Sequence, residues 1–244
     1  SHNQPLGRHA PTVFNVAWGV EFFWDGRAAT LEEQAGGPIQ APEEMNMTFP
    51  VLISRLNDIP SYKKWFSKVF PDEGLTEETI KKSIATYQRT IVSGVSPFDK
   101  WVSGEDKAIS DAAKRGFLIF NEQAKCSACH SGWNFTDQKY HDIGLPGEDL
   151  GRSNIDNSEV KNKFAFKTPT LRNLTQRSPF MHDGSIYDLE SVIAHYQVGG
   201  IQRESRSELM APLKIDDDEV KDLLAFIRSL TADKDEVVLP ILPN

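Results

Sequence analysis

Residues 124–135 read AKCSACHSGWNF, and they hold both cysteines of the 244-residue chain. Cys126 and Cys129 stand three apart, and His130 follows directly. A C-x-x-C-H run can be half of a zinc site, a redox dithiol, a small disulfide loop or the attachment point of a covalent haem. Zinc wants four ligands, and no second closely spaced pair accompanies this one. A thioredoxin-like dithiol wants a strand–helix setting, whereas an all-helical pattern precedes this motif. Haem attachment suits the residue types best. Two thiols three apart can add to the two vinyl groups of one porphyrin edge, and the adjacent histidine is then held under the ring to ligate iron.

Working outward, the pattern on both sides of the motif is helical. Residues 111–122 put Ala113, Phe117 and Phe120 on one face, with Gly116 permitting close approach. Residues 217–230 carry Val220, Leu223, Leu224, Ile227 and Leu230 on one face, and Asp216 with Glu219 forms a capping arrangement at the start. Two such helices are the pair that a cytochrome c fold crosses over its haem edge. A third helix is predicted over 77–93, with Ile80, Ile84, Tyr87 and Ile91 as its stripe and Gly94 after its end. Shorter helices are predicted at 31–35, 50–57, 62–70 and 189–197. No strand is predicted, so the expected class is all-α. Residues 137–163 form a Gly- and Asp-rich loop, long enough to wrap a site or meet a partner. The closing VVLPILPN reads as an extended tail laid on another surface, because its prolines interrupt any helix or ladder.

Composition excludes several function classes. The net charge of −8 is spread along the chain without a basic stripe, which argues against nucleic acid and anionic membrane as partners. No apolar run approaches the roughly 20 residues that span a bilayer. The chain opens abruptly at SHNQPLGRHAP with no signal peptide, so its start reads as a mature, trimmed or partly missing N-terminus.

The segments FFWDGRAATLEEQAGGPIQAPEEM (22–45), FDKW (98–101), FKTPTLRN (166–173), SPFMHDGS (178–185) and LPILP (239–243) resemble the di-haem cytochrome c peroxidase/MauG family, from Gly7 almost to the end. The resemblance implies two c-type haem domains. Residues 1–105 would be the remainder of an N-terminal, peroxide-reactive haem domain, 106–232 a C-terminal cytochrome c domain, and 233–244 a tail packing back on the first. CSACH would then be the second of two motifs, with Cys126 and Cys129 attaching the C-terminal haem and His130 as its proximal iron ligand. Gln34 and Glu44 match the distal pocket of the other haem. There Glu44 would move a proton from the bound to the departing peroxide oxygen, and Gln34 would hydrogen-bond them. Trp24 matches a tryptophan between the haems, with a calcium ion near it. Arg172 is a candidate partner for a haem propionate, since its fork suits a carboxylate.

The sixth ligand of the C-terminal haem separates the branches of the family. Peroxidases place a methionine there, and the corresponding position, 14 residues after His182, is Tyr196. Met181 falls too early and Met210 follows a different segment. MauG-type enzymes carry tyrosine. A tyrosinate is a hard anionic donor that stabilises oxidised iron, whereas a thioether favours the ferrous state.

The resemblance therefore implies a periplasmic, MauG-like di-haem enzyme. It would use hydrogen peroxide to reach a high-valent bis-haem state and oxidise a partner protein, at tryptophan, by long-range electron transfer. The alternatives are a di-haem peroxidase fed by a small redox protein, or a mono-haem electron carrier. The first C-x-x-C-H of the family is absent here, and a second haem is expected on an N-terminal segment outside this chain. His9 replaces an asparagine near the calcium site, which leaves backbone carbonyls to serve. Trp133, three residues after His130, either exits charge to a partner or covers the haem edge.

Overall fold

The computed structural model describes residues 6–233 and 241–242. The architecture is all-α: eight helices among the described residues, joined by long loops and short 3-10 turns. In chain order they are α1 (Leu31–Gln40), α2 (Phe49–Asn57), α3 (Pro60–Val69), α4 (Glu77–Thr90), α5 (Pro97–Val102), α6 (Asp111–Asn121), α7 (Leu189–Val198) and α8 (Asp217–Ser229).

Local chemistry sets most of the starts. Thr76 and Thr79 form a reciprocal capping box on α4, Ser96 and Asp99 on α5, and Asp216 and Glu219 on α8. Ser110 and Asp188 cap α6 and α7 by accepting from backbone N–H groups of the first turn. Pro60 opens α3 and Pro97 opens α5, where a missing N–H costs nothing.

Three elements differ from the sequence expectation. Helix α1 does not stop at residue 35 but runs through Gly36, Gly37 and Pro38. A Cβ on Gly36 would meet Lys81 Cε of α4 at 2.7 Å, and one on Gly37 would meet the Phe23 ring at 2.9 Å. Tertiary packing thus retains residues with poor helix propensity. Helix α5 was not predicted, although S-P-F-D carries both its cap and its Pro start. A two-residue antiparallel ladder also exists, β1 (Tyr140–His141) with β2 (Phe166–Lys167), pairing Tyr140 with Lys167 and His141 with Phe166. Two residues are too few for a period of two to be read. Most of the predicted C-terminal tail lies outside the described residues, and Ile241 and Leu242 within it are exposed.

Two cores result. Ile39, Phe49 and Ile80 join α1, α2 and α4. The larger core centres on Phe226 of α8, which is fully buried and packs on Phe98, Phe117, Phe120 and Phe135 with ring centroids 5.0–6.1 Å apart. The predicted crossing of α6 and α8 lies at its heart. A Cβ on Gly116 would sit 1.9 Å from the Asp222 carbonyl oxygen, so only glycine lets the backbones come this close. Residues 122–125 alone separate α6 from Cys126, and the crossing therefore fixes where the motif begins.

Candidate functional site

The motif is a single tight turn. Lys125 takes the left-handed conformation (φ 52°), Cys126–Ala128 forms one 3-10 turn, and the backbone N–H of His130 donates to the Cys126 carbonyl at 2.8 Å. The turn puts both sulfurs and the imidazole on the wall of one cavity of about 290 Å³. Its lining is largely apolar, with Phe120, Leu171, Phe180, Val192, Ile193 and Leu213 among the contributors.

Cys126 and Cys129 are free thiols, which removes the disulfide reading. Burial pushes Cys126 up to about 12 and Cys129 up to about 11, so neither is a thiolate at neutral pH, unlike a redox-active dithiol. Among the described residues, the cluster of histidine, cysteine and carboxylate atoms able to hold a metal is Cys129, Asp137 and His141, with atoms within 4.8 Å of one another. It leaves Cys126 out, so the two cysteines do not form half of a zinc site.

His130 Nδ1 lies 3.1 Å from the Phe135 carbonyl, which as acceptor assigns the proton to Nδ1 and leaves Nε2 as a lone-pair donor. Burial lowers the pKa of His130, opposed by the Phe135 carbonyl. From α7, Tyr196 faces the same cavity. Burial raises its pKa, and the two cysteine sulfurs add to the rise. Bound iron would reverse that direction, as a cation does for any coordinating acid. Neighbouring His195 turns away, its Nε2 2.9 Å from the Ile143 carbonyl. Two methionines that sequence reasoning set aside, Met181 and Met210, also reach the wall.

Trp24 lines the cavity too, and its indole N–H donates to the His9 carbonyl at 2.7 Å. Gln34 and Glu44 are not part of this wall. Gln34 accepts from Gln88 Nε2 at 3.0 Å, and the other amide atom, Gln88 Oε1, is buried without a partner. Glu44 is half-buried in the turn after α1. Arg172, the candidate propionate partner, is not part of this wall either. Its guanidinium points into the protein, with Nη1 on Asp99 at 2.6 Å and Ser96 at 3.3 Å, and Nε on the Trp133 carbonyl at 2.9 Å. Asp99, 73 residues earlier, is its carboxylate partner. The arginine on the cavity wall is Arg177, whose buried Nε has no partner. Trp133 is half-exposed and meets Trp18 edge-on at 4.8 Å.

The donor set fits a covalent haem: paired thiols beside an imidazole, a phenol on the same wall, apolar surface between, and a half-buried guanidinium with no carboxylate partner among the described residues. Comparison with known proteins agrees. Residues 1–107 match the family model described as di-haem cytochrome c peroxidase, and residues 113–231 match that of cytochrome c. The chain is 47% identical to the methylamine utilization protein MauG of Methylophilus methylotrophus, across 97% of this chain and 72% of that protein. It is 46% identical to MauG of Methylorubrum extorquens, across 98% and 69%.

The chain belongs to the di-haem cytochrome c peroxidase/MauG family.

A crystal structure of a MauG-like protein associated with microbial copper homeostasis superposes with a TM-score of 0.85 at 28% identity, covering 93% of this chain and 76% of that one. As a member of the di-haem peroxidase/MauG family, the chain is a haem-dependent oxidoreductase of the peroxidase type, and its haem is of the c type. Hydrogen peroxide and a redox or protein partner follow from that membership. No helix among the described residues is long and apolar enough to cross a membrane.

Proposed function

We propose that this chain is a MauG-like enzyme that uses hydrogen peroxide to withdraw electrons from a partner protein over a distance, with tryptophan as the oxidised group. Tyr196 carries the reading. It presents a phenol to the cavity shared by Cys126, Cys129 and His130, while His195 is spent on a backbone carbonyl. A phenolate oxygen favours oxidised iron, which suits a site that stores oxidising power.

The haem supplies the redox chemistry, holding oxidising equivalents drawn from peroxide. Cys126 and Cys129 tether it, and His130 offers Nε2 to the iron with its ring oriented through the Phe135 carbonyl. Trp24, fixed by the His9 carbonyl, would relay charge from one ring to a second. Gln34 and Glu44 serve that second ring, Glu44 by carrying a peroxide proton between the two oxygens. The orphan Gln88 Oε1 supports a polar pocket beside Gln34. Both cysteines are used on one ring, so a second c haem draws on thiols outside these residues. In this reading residues 1–105 belong to the peroxide-reactive half and 106–232 to the C-terminal cytochrome. A calcium ion near Trp24 would rest on backbone carbonyls, and covalent haem assembly sets the periplasm as the compartment.

Tyr196→Phe in the haem-loaded protein should raise the midpoint potential of the ring held by CSACH. It should also stop peroxide-driven oxidation of the partner protein while peroxide binding survives. An unchanged ferric spectrum and turnover would remove Tyr196 from the mechanism. Met210 on the same wall supports a second reading, a peroxidase with a His/Met ring fed by a small redox protein. There Met210→Leu, and not Tyr196→Phe, would erase the thioether signature from the near-infrared spectrum.

A further inference from the structure

This chain pairs several of the guanidinium groups that it takes out of water with a carboxylate. Arg8 faces Asp25 at 2.6 Å, Arg172 faces Asp99 at 2.6 Å, and Arg203 holds Asp142 through Nε at 2.6 Å. Arg177 breaks that pattern. It follows the 3-10 turn Leu174–Gln176 and forms part of the cavity wall. Its partners among the described residues are neutral: Nη2 donates to the Thr170 carbonyl at 2.9 Å and lies 3.5 Å from the Arg172 carbonyl. Its Nε is buried with no partner, and no carboxylate pairs with it among the described residues. Burial alone brings its pKa down to about 10, with no acid opposing the shift, yet the group remains a cation at neutral pH. A buried cation with an unused donor is costly to fold unless an anion completes it.

The geometry points to Arg177 as the carboxylate-receiving group of this cavity, holding a propionate of the ring attached at Cys126 and Cys129. The inference rests on the reading of CSACH as a haem clamp. A guanidinium is matched to that task, because its fork gives charge-assisted bonds to a planar carboxylate and it stays charged where a lysine could neutralise. Two consequences follow for the ring. The neighbouring positive charge disfavours the ferric form and so raises the reduction potential. The propionate is also kept ionised across the physiological range, so the potential does not drift with its protonation.

The test is a spectroelectrochemical titration of the haem-loaded Arg177→Met protein across a pH series, beside wild type. The ring in question is identified as the one missing from a C126S/C129S protein. In R177M the reduction equilibrium constant of that ring should fall about tenfold, ~59 mV for a one-electron couple. The potential should also acquire a pH-dependent limb near neutrality that wild type lacks, and Arg177→Lys should recover most of the difference. If R177M does not accumulate, Arg177→Gln, which keeps a donor for the Thr170 carbonyl, carries the same expectation. A wild-type potential and pH profile in the haem-loaded variant would overturn the assignment. If instead C126S/C129S retains the full haem content, the clamp reading itself fails, and that result is separate from the Arg177 titration.

Discussion

Replacing Gly116 by alanine adds one methyl group where α6 crosses α8. The new Cβ would lie 1.9 Å from the Asp222 carbonyl oxygen, 2.5 Å from its carbon and 2.9 Å from Phe226 Cβ. Two of these atoms are backbone, so no side chain can swing aside. Ordinary contact lies near 3.5 Å, and α8 must therefore retreat by about 1.5 Å. Overpacking of this kind costs about 1–3 kcal/mol, and here it also loosens the rings around Phe226. Because the clash is with backbone, the upper end of about 3 kcal/mol applies; alanine returns up to ~1 kcal/mol through helix propensity, which leaves a net loss of about 2 kcal/mol. For a chain of this size that lowers Tm by roughly 4–8 °C. Thermal unfolding followed by far-UV circular dichroism, with the haem band monitored in parallel, measures both the loss and any displacement of the motif that α6 leads into. A Gly116→Ala protein as stable as wild type would refute the close crossing.

Other perturbations test different contacts. Asp99→Asn leaves Arg172 buried without a counter-ion and should cost about 2–3 kcal/mol by denaturant titration, at the low end for buried pairs because Asp99 is partly exposed. Burial raises the Asp99 pKa, but the bonds from Arg172 and Ser96 outweigh it and hold the carboxyl below its usual range. Its contribution is therefore complete above an unfolded pKa of ~3.9 and is lost as pH falls through the folded value, so the acid limb of stability below about pH 4 should flatten in D99N. Gly199 ends α7 at φ 75°, and a Cβ there would meet Pro212 at 3.0 Å. Gly199→Ala should cost about 1 kcal/mol by chemical denaturation and alter the spectrum of the ring, since Tyr196 lies one turn before.

Spacing and chain chemistry made parts of the site readable in advance. The sequence C-S-A-C-H names a reaction between particular atoms, and Gly116 opposite the face that begins at Val220 names a close crossing. Caps such as Asp216 with Glu219 act within four residues, so they too can be read locally. What escaped depends on direction rather than identity. Arg172 and Arg177 are the same residue type five positions apart, yet one is drawn inward by Asp99 and the other is left on the cavity wall. No periodicity records that choice. Met210 was set aside because it follows a different segment, and only folding carries it to the wall that Tyr196 occupies. Helix α1 shows the converse, a Gly-Gly-Pro run that local rules break and neighbouring side chains keep.

The edge-on contact of Trp18 with Trp133 joins the segment matched by the peroxidase model to the one matched by cytochrome c. Both indoles are half-exposed, and Trp133 sits three residues after His130. Indole emission is quenched efficiently by a porphyrin at such range. With haem bound the pair would act as an intrinsic optical gauge of the seam, dim while the two segments stay together and brightening as they part, read against a variant lacking both indoles.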